Sequence, residues 1–164
     1  GCVMAVLDVA HRRRVEDQAP TMWLAVFIHG QTFGLPVLRV RDVIASPVIN
    51  AVPLAPAEVA GSLNLRGRIV TAIDMRARLG LAPRAPDAKV MCAIVELGEG
   101  VQSEHYALVV DEVGDVLSLG ADIWEKSPVT LTAEWQSLCS GLFRLEQGLM
   151  LALDVDSIIG GLVS

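Results

Sequence analysis

Residues 61–81 read GSLNLRGRIVTAIDMRARLGL, and this stretch decides the fold. Residues 62–74 divide into two short strands around Arg66-Gly67. Met75 to Leu79 then has room for little more than one helical turn, closed by Gly80 as a C-terminal cap. Short strand, tight turn, short strand and a scrap of helix is the texture of a β-rich domain, in which strands recur every ten residues or so.

The same texture extends in both directions. Upstream, residues 23–28 (WLAVFI) form a continuous apolar run, as expected of a strand buried on both faces. His29-Gly30-Gln31 offers a turn, Thr32 to Leu35 returns, and Pro36 ends the strand. In residues 37–44 (VLRVRDVI) a short helical turn starting at Pro36 is expected to run into extended chain. Pro47, Pro53 and Pro56 punctuate the next stretch, with a helical turn expected over Pro56–Ala60, closed by Gly61. Downstream, residues 82–88 (APRAPDA) read as an internal linker. Strands are expected at 90–97, 105–110 and 113–119, with a polar turn at 98–104 and a longer loop at 120–135. A hairpin over 141–153 turns at Glu146-Gln147-Gly148. A last helix follows Asp154, with Asp154 or Asp156 as cap and Val155, Ile158, Ile159 and Leu162 on one face. The fold class is all-β: two small barrels around a shared core, the first over about 22–81 and the second over about 89–164, preceded by a loosely ordered leader at 1–21.

Composition narrows the function. Apolar residues make up 52% of the chain and aromatic residues 4%, so the core must be built from Val, Leu, Ile and Ala. A net charge of -6 argues against a polyanionic partner, which needs a dense basic face. The basic run Arg12-Arg13-Arg14 is short, is followed by Glu16 and Asp17, and reads as solvated linker. No segment approaches the ~18 apolar residues of a membrane span. Residues 2–10 are apolar except for Asp8, and the arginines follow them, the reverse of a signal peptide's order. An amphipathic, membrane-touching tail over residues 1–14 is the competing reading. Three cysteines, Cys2, Cys92 and Cys139, with no CxxC, fit a reducing cytoplasm, and Cys92 reads as a small core residue.

Motifs that carry chemistry are missing. His11, His29 and His105 have no partners at metal-ligand spacing, and no HExxH, Walker loop, GxGxxG or GxSxG occurs. Gly98-Glu99-Gly100 reads as a hairpin tip. Asp111, Glu112 and Asp115 cluster after an apolar strand. They read either as solvated acids at a strand end or as a cation site or acid/base pair. No catalysis, cofactor or metal is expected.

With these residues in view, 61–81 resembles the CheW family of chemotaxis coupling proteins through Gly61, Asn64, Leu65, Arg66, Gly67, Asp74 and Arg76. Val110, Asp111, Val113, Val116 and Leu117 extend the similarity, as do residues 27–44 and 141–159, so that it spans about 22–162. Thr71-Ala72 stands where the family often has Pro, and Asp42 where it commonly has Glu. The resemblance implies two small SH3-like, five-stranded barrels and a non-catalytic scaffold in the cytoplasm. That scaffold would bridge the cytoplasmic tip of a chemoreceptor to the regulatory domain of the CheA histidine kinase, and its partners would recruit it to membrane-associated arrays. It implies a receptor groove lined by Leu24, Val37, Val40, Val43 and Val113, with Asp42 beside it and Arg66 at its rim. Gly61 would lie near the kinase surface. Core packing is the competing reading for the valines, and turn-fixing hydrogen bonds to backbone carbonyls for Arg66. Two other readings stand beside the adaptor: a CheW-like domain cut from a larger coupling protein or kinase, and a small β-barrel enzyme using Asp111 and Asp115.

Overall fold

A computed structural model describes residues 21–85, 87–97, 104–120, 123–126, 133–146 and 148–163. Most of the leader, with Cys2, His11 and Arg12–Arg14, lies outside the described residues. So do most of the polar turn expected at 98–104, with Gly98-Glu99-Gly100, and Gln147 of the hairpin signal.

The chain runs β1 (Thr21–Ile28), β2 (Gln31–Pro36), a single 3-10 turn (Val37–Arg39), β3 (Val40–Ala45), β4 (Val59–Leu65), β5 (Arg68–Asp74) and α1 (Met75–Arg78). It continues through β6 (Met91–Leu97), β7 (Glu104–Val110), β8 (Glu112–Leu119), β9 (Trp124–Lys126), α2 (Ala133–Leu138), β10 (Cys139–Leu145), β11 (Gly148–Leu153) and α3 (Val155–Val163). Among the described residues the strands form a six-stranded sheet, β8-β1-β2-β11-β10-β9, and a five-stranded sheet, β3-β6-β7-β5-β4. The short strand β9 accounts for the sixth member where five were expected. Each sheet holds one parallel pair, β2 with β11 and β5 with β7; the other pairs are antiparallel.

Sheet membership does not change at the 82–88 linker, so 22–81 and 89–164 are not the two hydrogen-bonded units. The N-terminal hairpin β1-β2 joins β8–β11, and the middle of the chain, β3–β7, forms the other unit. The chain crosses between sheets at the 3-10 turn and again at Asp111. The apolar run of β1 explains the arrangement. Leu24, Val26 and Ile28 enter a core shared by both sheets, while Trp23 on the other face packs into the lumen of the six-stranded unit.

Three clusters result. The shared core includes Phe33 and Leu35 from one sheet, Val95 and Leu108 from the other, and Met75, Leu138 and Ile158 from the helices. The five-stranded unit encloses Leu63, Val70, Cys92, Ile94 and Val109, and the six-stranded unit encloses Phe143 and Met150. In β6 the faces alternate strictly, Cys92 and Ile94 into the lumen and Ala93 and Val95 into the shared core. That double burial is why such strands appear as unbroken apolar runs, at about 1.5–3 kcal/mol for each large side chain taken from water.

The five-stranded sheet curls until its ends meet. An antiparallel bridge joins Asn50, after β3, to Ser62 on β4, with N–H donors at 2.7 and 2.8 Å. Two local expectations need correction. Pro56–Ala60 is not a helical turn: Val59 N–H donates to the Pro56 carbonyl at 3.0 Å and begins β4 directly, where Val59 pairs with Ile73. The loop expected over 120–135 contains β9 and the start of α2, because Trp124 packs edge-on against Phe143, 5.0 Å between centroids. The 3-10 turn, α1 with Gly80 at φ 71°, and α3 after Asp154 all form as the sequence indicates. Val155, Ile158 and Ile159 of α3 are buried.

Candidate functional site

Val37, Val40 and Val43 stand three residues apart, which the sequence presents as a turn of helix. Only Val37 is in one. Val40 pairs with Val95, and the register then slips so that Asp42 pairs with Ile94 and Val43 with Ala93. This β-bulge inserts one residue, and so residues three apart face the same way. Val95 and Ala93 point into the shared core and Ile94 points into the lumen. Val40 and Val43 therefore share the inter-sheet face, and Asp42 turns from it.

The second flank repeats the device. On β8, Val113 pairs with Val26 and Val116 with Leu24, with a register shift between Leu24 and Val26. Val113 and Val116 again stand three apart on one face. Val37, Val40 and Val113 are half-buried against the shared core, and Leu24 is buried in it. Val43 and Val116 are 37% and 49% exposed. β3 and β8 are the edge strands of their sheets. Each of these two edge strands thus carries a V-x-x-V pair on its inter-sheet face, and Leu24 is buried behind the β8 pair. Sequence reasoning missed Val116 as a site residue; the repeated V-x-x-V spacing was the available signal.

Arg66 and Asp42 meet elsewhere. Arg66 and Gly67 occupy the β4-β5 turn at φ 51° and 85°, the mirror-image turn that two-residue hairpins favour. The side chain of Asn64, not that of Arg66, fixes this turn, accepting from Gly67 N–H at 2.9 Å. The Arg66 guanidinium is 85% exposed and reaches Asp42 Oδ2 at 3.4 Å, a surface pair of little stabilising value. The Arg66 side chain therefore stands at the surface next to Asp42.

Gly61 is buried. A Cβ there would lie 2.1 Å from the Asn50 carbonyl oxygen, and its φ is +149°. It cannot touch a partner. It instead seats the 46–58 segment, whose Val48 and Leu54 are 77% and 104% exposed, Leu54 at φ 65°.

Asp111 closes the junction between the sheets. Its oxygens accept from Arg76 Nε and Nη2 at 3.0 and 2.6 Å, from Arg84 Nε at 2.5 Å and from His29 N–H at 2.8 Å. Arg84 also donates to Asp74 Oδ1 at 2.8 Å. Burial by itself would raise the Asp111 pKa, but the bonds from Arg76, His29 N–H and Arg84 outweigh it and bring the carboxyl down to about 2. The carboxylate is therefore held charged between its two arginine partners. Asp115 lies apart, exposed at the mouth of the six-stranded lumen. With Asp111 taken up by two arginines and Asp115 at the lumen mouth, this geometry does not favour the two acids as an acid/base pair. Among the described residues no group of three His, Cys, Asp or Glu side chains could hold a metal ion. Cys92 and Cys139 are buried, and burial pushes both thiols up to about 12. No described helix is long and apolar enough to cross a membrane.

Two linked β units joined at a clamped junction define an all-β module. The chain belongs to the CheW-like domain family, whose model matches residues 23–162. It is 25% identical to a probable chemotaxis protein CheW of Rhizobium etli, over 87% of this chain and 89% of that protein. Similarity to the chemotaxis protein CheW of Klebsiella aerogenes is 26% identity over 84% of this chain and 80% of that one. The crystal structure of the scaffolding protein TtCheW from Thermoanaerobacter tengcongensis superposes with a TM-score of 0.72, at 24% identity, over 83% of this chain and 90% of that one, a likeness of fold.

Proposed function

We propose that this chain is a chemotaxis coupling scaffold. Its groove takes a helix from the cytoplasmic tip of a chemoreceptor, and a second surface takes the regulatory domain of the CheA kinase. The scaffold works in the cytoplasm and reaches receptor arrays through these partners. The observation that carries the reading is the pair of bulged V-x-x-V edges, which leaves apolar side chains half-exposed on the inter-sheet faces of β3 and β8; we read these as the walls of the groove. A helix laid in such a cleft is a recurrent binding mode. The kinase surface is assigned to the 46–58 segment held by Gly61, where Val48 and Leu54 project into solvent. Separate surfaces let the state of one partner bias the other.

The test places a carboxylate in the groove and removes the guanidinium beside it. Val40→Asp leaves a charge desolvated against the receptor helix and is expected to cost several kcal/mol of receptor binding. Arg66→Ala is expected to cost ~1.5–3 kcal/mol, about a tenfold to hundredfold weakening. Denaturant midpoints are measured beside titrations with a receptor tip and with the kinase domain. Wild-type receptor affinity in both folded variants would refute the groove assignment.

A further inference from the structure

The 3-10 turn Val37–Arg39 carries the chain from one sheet to the other and leads directly into Val40 and β3. A single turn of this kind is weak, because its hydrogen-bond geometry is poor. Here the bond runs from the Val40 N–H to the Val37 carbonyl, no side chain caps the turn, and Pro36 before it has no N–H to give. None of its three residues is buried: Val37 leans on the shared core, and Leu38 is 86% exposed. The fastening is Arg39. Its Nε donates to the Glu96 carbonyl of β6 at 2.9 Å, and its Nη2 donates to Asp156 Oδ1 of α3 at 2.7 Å. Asp156, Asp154 and Glu96 are the acids whose field Arg39 feels, and the Glu96 carboxylate is engaged by Arg41. The helix α3 is a firm post. Val155, Ile158 and Ile159 are buried in the shared core, Asp154 N–H donates to the Leu138 carbonyl at 2.8 Å, and Arg78 donates to the Ser157 and Ile158 carbonyls at 3.3 and 3.1 Å.

The pair with Asp156 does little for global stability. Asp156 is 63% exposed, and water and salt screen such a contact. Its consequence is geometric. Two donors on one planar guanidinium meet acceptors on two different elements, which fixes the direction of the turn as well as its place. Val37 and Val40 flank this turn, and both belong to the wall assigned above to the receptor. We propose that Arg39 is a positioning residue for that wall: bound to β6 and to α3, it holds the 3-10 turn, and with it Val37 and Val40, in the shape a partner helix meets. The inference deepens the receptor-groove reading and rests on it. It makes the groove depend on a helix residue 117 positions further along the chain, without Arg39 itself touching the partner. A wall that is already ordered loses less freedom on binding, and affinity rises accordingly. The 46–58 segment is fastened by other contacts, the Asn50–Ser62 bridge and the Asp74 N–H to the Glu58 carbonyl at 2.8 Å, so kinase binding should not depend on Arg39.

The test has two arms, both on the full chain. The first needs no partner. In Arg39→Gln and in Asp156→Asn, hydrogen exchange of the Val40 amide is expected to quicken by about fivefold or more, while the denaturant midpoint stays close to wild type. The second arm titrates a receptor tip fragment and the kinase regulatory domain. Each single variant is expected to weaken receptor binding about threefold to tenfold and to leave kinase binding unchanged. The double variant should bind no more weakly than Arg39→Gln alone, because both changes cut the same link. Arg39→Lys keeps a charge for Asp156 but not the two-pronged hold, and should fall between wild type and Arg39→Gln. Unchanged exchange at Val40, wild-type receptor affinity in both single variants, or losses that add in the double variant would each overturn the proposal. So would a loss in Arg39→Gln with none in Asp156→Asn, which would make Arg39 a direct contact. A wild-type chain that binds no receptor tip would overturn the groove reading and this role with it, whereas failure confined to the variants overturns this inference alone.

Discussion

The two β units solve the same packing problem with different materials. The five-stranded lumen is filled by short aliphatic side chains and a cysteine, and no aromatic residue is among its described members. It closes through backbone, at the Asn50–Ser62 bridge and the close approach at Gly61. The six-stranded lumen gathers Trp23, Trp124 and Phe143, seated over glycines: a Cβ on Gly141 would lie 2.3 Å from the Trp124 ring. Beyond them a mouth lined by Phe27, Leu117, Leu145 and Leu149 stays open. Backbone closure is rigid and ring closure has some give, so the two units should respond differently to added volume.

Gly61→Ala is the sharpest probe of the rigid side. Its Cβ meets backbone, which cannot step aside, at a φ that L-residues rarely adopt. A loss of about 3 kcal/mol or more in urea unfolding is expected. A loss under about 1 kcal/mol would mean that the five-stranded unit is as compliant as its neighbour.

Asp111→Asn tests the junction between the units. Charge-assisted bonds from two arginines are weakened, and a loss of about 2 kcal/mol is expected. The pH dependence supplies the sign. Folding depresses the Asp111 pKa to about 2, against an unfolded value of about 4. Its contribution, about 2 kcal/mol, is therefore complete above pH ~4 and is lost as pH falls toward ~2. The Asn variant should lose less stability than wild type over that window. Parallel curves for the two proteins would detach Asp111 from the clamp.

Gly114→Ala is the compliant counterpart of Gly61→Ala. Its Cβ would come within 2.8 Å of the Phe27 ring edge, beside the open mouth into which that ring can move. About 1 kcal/mol is expected. A loss as large as that of Gly61→Ala would erase the contrast.

The strands and the shared core were legible in the sequence because double burial leaves unbroken apolar runs, as in residues 23–28 and 90–97. Their grouping was not, since the linker at 82–88 marks a change in chain direction and not a change of sheet; the pairings of β1 with β8 and of β2 with β11 reveal the swap. Trp124 in a polar stretch hid a three-residue strand. At the site, the spacing of Val37, Val40 and Val43 gave the correct face for the wrong reason. A bulge and a helical turn both bring residues three apart together, and periodicity alone does not separate them. Val113 was identified and Val116 was not, although the same bulge rule covers both. The backbone role of Gly61 was readable, but its partner Asn50 was not, because that contact is made in space across the barrel seam.

The central claim is that the groove and the 46–58 segment are separate docking surfaces. Val116→Asp and Leu54→Asp both alter exposed side chains and should leave the fold intact. Titrating each variant with a receptor tip fragment and with the kinase regulatory domain tests the claim directly. Val116→Asp is expected to weaken receptor binding about a hundredfold, roughly 2.7 kcal/mol, and to spare the kinase. Leu54→Asp should do the reverse. Equal loss of both partners in either variant, or wild-type binding of both partners by both variants, would contradict it.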